Sequence, residues 1–71
     1  MALGTVVKIL KDKGFGFIQI DGDAVGVWTF FHRSSFVDRA AFDVLVIGQR
    51  VSCVVESADK GQRASHVIKE S

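Results

Sequence analysis

Seventy-one residues with a formal net charge of +1 suit one small domain over residues 1–71, and any attraction for a polyanion has to be local. Of these residues 48% are hydrophobic, six Phe and one Trp among them, more than a chain that buries only roughly 60% of its unfolded surface can hide. No apolar run nears the ~18 residues of a membrane span and no signal-peptide pattern opens the chain, while the single cysteine, Cys53, excludes an internal disulfide and suits a reducing cytoplasm.

Thr5 to Leu10, rich in β-branched residues, reads as a first strand, and Lys11-Asp12-Lys13-Gly14 as the polar turn after it. A second strand runs from Phe15 to Ile20, and Asp21-Gly22-Asp23 signals a tight turn extended by Ala24-Val25-Gly26. A third strand covers Val27 to His32. Ser34 to Ile47 is expected to be a loop with one short helical turn, because Phe36, Ala40, Val44 and Ile47 have near-helical spacing and Ser35 can cap, while Val44 to Ile47 is β-rich. Gly48-Gln49 introduces a fourth strand from Arg50 to Glu56, with Val51, Cys53 and Val55 alternating inward. Ser57 to Arg63 reads as a polar hairpin loop and Ala64 to Ile68 as the last strand. Five regularly spaced strands without Pro or a long helix predict an all-β, closed five-stranded antiparallel barrel.

Period-two phase then assigns faces. On the second strand Ile18 and Ile20 belong inside, so Phe15 and Phe17 point to water, and Gly14 and Gly16 let the strand bend at a barrel corner. On the third strand Trp28, Phe30 and His32 share one face, and Val27, Thr29 and Phe31 the other. Phe31, Val6, Val51, Val55 and Val67 are expected in the core. Exposed rings in rows with nearby cations are what a single-strand nucleic-acid binder uses: stacking on bases, which tolerates any sequence, and basic groups along the backbone.

The run Lys13-Gly14-Phe15-Gly16-Phe17-Ile18 fits the aromatic ribonucleoprotein signature. The two helices of an RNA-recognition motif are missing, and the second cluster, Phe30-Phe31-His32, follows the first. With Gly4-Thr5-Val6 upstream and Gly48-Gln49-Arg50-Val51 and Lys60-Gly61 downstream, the chain resembles the bacterial cold-shock proteins from Gly4 to Val67, in particular a subgroup reading Phe-Phe-His-Arg-Ser. The resemblance implies an OB-fold barrel that binds single-stranded RNA or DNA on the face of its second and third strands. It places Phe15 and Phe17, then Phe30 and His32, at the ring positions, Phe42 at a loop ring that meets bases, and Lys13 and Lys60 at basic positions. The chain departs from the family pattern where Lys8 replaces a stacking Trp, Arg33 a Phe, Val46-Ile47 an acidic pair and Gln62 a Pro.

On these grounds Phe15, Phe17, Trp28, Phe30, His32 and Phe42 are the candidate platforms, with Trp28 partly replacing the ring lost at Lys8. Lys8, Lys11, Lys13, Arg33 and Lys60 are the candidate phosphate contacts, whereas Arg39, Arg50, Arg63 and Lys69 read as ordinary surface. Cys53, in phase with Val51 and Val55, reads as a buried small hydrophobe. The widely separated Cys53, His32 and His66 match no metal-ligand or Cys–His catalytic pattern, so neither a cofactor nor an enzyme activity is expected. The expected partners are single-stranded RNA and DNA, with no membrane, for a cytoplasmic RNA chaperone that is expected as a monomer, with a weak dimer as the alternative. The second reading is an OB module that self-associates or binds protein through Val46 and Ile47.

Overall fold

Five strands close into a barrel in the computed structural model, which describes residues 1–58 and 61–70. They are β1 (Ala2–Leu10), β2 (Phe15–Ile20), β3 (Thr29–His32), β4 (Arg50–Ala58) and β5 (Gly61–Lys69), in the spatial order β1-β2-β3-β5-β4. A 3₁₀ turn (Arg33–Ser35) and a short helix, α1 (Arg39–Asp43), fill the connection from β3 to β4. Neighbouring strands pair antiparallel except β3 and β5, which run parallel and meet at Phe30 and Arg63.

The strands depart from the side-chain signals at three places. β1 begins at Ala2 because Ala2, Leu3 and Gly4 pair with Cys53, Ser52 and Val51 of β4, a backbone ladder that needs no β-branched residues. The expected loop from Ser57 to Arg63 is largely strand: Ser57 pairs with Gln62 and Ala58 with Gly61, so polar residues continue the hairpin. Conversely, β3 starts at Thr29, since the turn bond from the Val27 amide to the Ala24 carbonyl (3.0 Å) keeps Val27 and Trp28 in the preceding loop. Ser35 does not cap the helix. Asp38 caps α1 by accepting from the Ala40 amide, and the His32 ring caps the 3₁₀ turn.

The phase expected of the central strands holds. Ile18, Ile20, Thr29 and Phe31 are buried, while Phe15, Phe17, Phe30 and His32 lie on the outer face. Gly16 sits opposite Phe31. A Cβ there would stand 2.7 Å from the Phe31 ring and 2.3 Å from the Lys8 carbonyl oxygen, so the glycine is what lets that ring cross the barrel. Val6, Val51, Cys53, Ala64 and Val67 complete the interior; Val55, expected among them, is only partly buried against it. Burial pushes the Cys53 thiol up, leaving it protonated and unreactive at neutral pH.

Two irregularities adjust the phase. The β1–β2 register slips between Val6 and Lys8, so Val7 is an extra residue in β1. The β4–β5 register slips between Ser52 and Val54, and opposite it His66 adopts a left-handed backbone (φ 51°). That bulge turns both Ala64 and Val67 inward although they are three residues apart.

At the barrel rim Arg50 donates to both carboxylate oxygens of Asp21 (2.8 and 2.6 Å) and to Thr5 Oγ1. The Arg50 hydrogen bond holds the Asp21 carboxyl below its usual range. A depressed carboxyl adds stability above its unfolded value and loses it as pH falls through the folded one. Thermal melting of wild type and Asp21→Asn should therefore differ at neutral pH by a small, salt-screened margin and converge on acidification, once the pH has fallen through the lowered folded-state range of the carboxyl. A gap that widens on acidification would contradict this assignment.

Candidate nucleic-acid interface

The outer face of β2 and β3 carries a continuous field of rings. Phe17 is its centre, with ring centroids 6.2 Å from Phe15, 5.9 Å from Phe30 and 5.9 Å from Trp28. Phe15 and Phe30 close the group at 5.6 Å. The three Phe rings are half-buried against one another and Trp28 is 44% exposed. Edge-to-face and tilted contacts hold the rings in place, while their outer surfaces remain open to a flat, apolar partner.

Trp28 joins this field from the loop after β2, and Gln19 sets that loop. Its side-chain amide donates to the carbonyls of Asp23 (3.2 Å) and Ala24 (3.1 Å), and its carbonyl accepts from the Gly26 amide (3.3 Å). Gln19 lies on the same outer face as Phe15 and Phe17, two residues beyond Phe17, so one strand face both supplies two rings and holds the loop that brings the third.

Backbone pairing aligns the cations with the rings. Lys8 pairs with Phe17, Phe17 with Phe30 and Phe30 with Arg63, giving a row Lys8–Phe17–Phe30–Arg63 across four strands. The extra residue Val7 is responsible for one end: counted in twos from buried Val6, Lys8 would point inward, and the bulge returns it to the outer face. Arg63, which reads as ordinary surface in the sequence, occupies the other end. No side-chain pattern marks it; the signal lies in the closure of β5 against β3.

His32 faces Phe15 across the β2–β3 ladder and is exposed. Its Nδ1 accepts from the Ser34 amide (3.1 Å), so Nε2 carries the ring proton in the neutral form and is the donor available to a ligand. Lys13 is exposed in the turn beside it, where the Gly14 carbonyl accepts from the Arg33 amide (2.8 Å). Arg33 is less free than expected, for its guanidinium pairs with Asp43 at 3.4 Å on the surface. Lys11 donates to the Asp43 carbonyl and sits 5.7 Å from the Phe42 ring centroid. Lys60 lies outside the described residues.

Phe42 requires a correction. Expected as a base contact, it is 2% exposed, with centroids 6.2 Å from Phe31 and 5.9 Å from Phe36. These three rings close the barrel's open end beneath α1, so Phe42 anchors the helix and shows no face to solvent. Among the described residues no group of His, Cys, Asp and Glu is arranged to hold a metal ion, and no helix is long and apolar enough to cross a membrane.

Comparison with known proteins agrees with this geometry. Residues 2–70 match the family model described as the "Cold-shock" DNA-binding domain. The chain is 37% identical over 65 residues to the cold shock protein CspV of Vibrio cholerae, covering 92% of this chain and 89% of that protein. It is 38% identical over 65 residues to the cold shock-like protein CspA of Shewanella violacea, with the same coverage. The cold shock protein CspA of Staphylococcus saprophyticus matches at 35% over 69 residues, 97% of this chain and 98% of its own length. With a closed five-stranded barrel, rings on the outer face of its second and third strands and a family match over almost its whole length, the chain belongs to the cold-shock domain family.

Proposed function

We propose that the chain binds single-stranded RNA and DNA with weak sequence preference and, by holding bases unpaired, opens RNA secondary structure without ATP. The observation that carries this reading is the ring field of Phe15, Phe17, Trp28 and Phe30, bounded by Lys8 and Arg63. Each base stacked on a ring contributes roughly 1–3 kcal/mol, and micromolar affinity needs about 8 kcal/mol net. Four rings with His32 beside them suffice for such affinity after association costs. The cations at the two ends lie where a backbone crossing the rings would bring phosphates, and each contact steepens the salt dependence of log affinity by roughly 0.7. The family's nucleic-acid role, a reducing cytoplasm and an influence on transcription termination or translation fit the same reading.

The test is a fluorescence titration with pyrimidine and purine oligonucleotides at two salt concentrations. Trp28 is the sole tryptophan, so its emission reports the ring field directly. Quenching by both oligomers, weaker at high salt, is the expected result; unchanged emission at saturation would remove Trp28 from the site. A duplex whose melting temperature does not fall with excess protein would remove the strand-opening role.

A further inference from the structure

A second exposed apolar surface lies away from the rings. A groove runs between α1 and the end of β5, with Val37, Ala41 and Val44 on one wall and Ile68 on the other. Its floor is closed by a parallel bridge from Phe36 to Val67 and by the Val37 amide donating to the Val67 carbonyl (3.1 Å). Val37 is 64% exposed, Val44 61% and Ile68 42%. The surface continues over β4, where Ser52 pairs with Ile68 on one side and with the exposed Leu3 on the other.

The charges of this groove have a twofold logic. Asp38 stands on the α1 wall and Lys69 on the β5 wall. Among the described residues the ion pairs are Arg33–Asp43 and Arg50–Asp21, and neither Asp38 nor Lys69 has an ion-pair partner among them. An acidic or a basic partner would satisfy one wall and repel the other. A second copy turned by a twofold axis satisfies both, since each contact in such an interface occurs twice, with roles exchanged. A net charge of +1 adds little repulsion between copies, and the exposed apolar side chains of the groove walls make the contact.

We infer that this groove is the seat of a second copy of the chain, each copy laying its α1 wall against the other's β5 wall, with Asp38 opposite Lys69 twice. A surface built from so few side chains falls short of the ~800 Å² per partner of a stable interface, so the dimer is transient. Its surface shares no residue with the ring field. The pair therefore presents two ring fields, and one long strand engages both with a gain from effective concentration.

Sedimentation without oligonucleotide from about 10 µM to about 1 mM, the range of transient association, reads the dimer independently of any nucleic-acid function. The weight-average mass should rise toward twice that of one chain. Lys69→Glu and Asp38→Lys should each weaken self-association by roughly tenfold or more, through like charges across the axis. An equimolar mixture of the two variants should dimerise again, because every pair in the mixed dimer is of opposite sign. Thermal melting checks that Asp38→Lys, which also removes the α1 cap, stays folded; Ile68→Lys provides a disruption independent of that cap. Wild-type protein sedimenting as single chains throughout, or a mixture no heavier than either folded variant alone, overturns the proposal and leaves the groove to a different partner. Retained affinity of the single-chain variants for a short oligonucleotide, with the advantage of long strands lost, supports it.

Discussion

Phe42→Ala is expected to cost about 3–5 kcal/mol of folding stability while the folded fraction keeps its affinity for a short single strand. The ring is 2% exposed and packs against Phe31 and Phe36, so truncation leaves a cavity between α1 and the barrel that these rigid neighbours cannot fill. Domains of this size have little in reserve against a total of about 5–15 kcal/mol, and the variant should be substantially unfolded in moderate urea. Urea denaturation reads the effect as a lower midpoint with an unchanged slope. Full stability with lost binding would show instead that the ring leaves the core to meet a base.

Phe17→Ala is expected to do the reverse, weakening single-strand binding by about 1–3 kcal/mol with little change in stability. Phe17 has three of the four ring contacts within the field and sits between Lys8 and Phe30 in the cross-strand row. Its loss removes one platform and also the neighbour that sets the tilt of Phe15, Trp28 and Phe30. Oligonucleotide titration at constant salt measures it. An unfolded variant whose folded remainder binds normally would mean that Phe17 supports the barrel and not the ligand.

The difference between these two phenylalanines shows which parts of the fold were legible in the sequence. Phe15, Phe17, Phe30 and His32 were readable because an uninterrupted period of two, with Ile18 and Phe31 as inward markers, leaves one choice of face. Phe42 lies in a segment without that period, and its place depends on how α1 folds back over Phe31 and Phe36, a tertiary fact. Arg63 was hidden for a related reason: it owes its neighbour to a parallel pairing between strands distant in the chain. Lys8 was named from its place in the family pattern, while the bulge that turns it outward is one no residue type signals. The extension of β4 and β5 through polar residues was hidden because backbone hydrogen bonds, not side chains, maintain it.

The way the barrel closes has a consequence for its target. Among the described residues β3 and β5 are joined by one ladder position, Phe30 with Arg63, assisted by the Thr29 hydroxyl donating to the Gln62 side chain (3.1 Å). The cylinder therefore has a seam, and the seam runs beneath the ligand face. On the proposed binding mode, a strand stacked on Phe30 with a phosphate at Arg63 would fasten both lips, so occupancy and closure would reinforce each other by mass action. Bound chains would then be tighter cylinders than free ones, and a destabilised variant would recover part of its fold from the single strand bound to it.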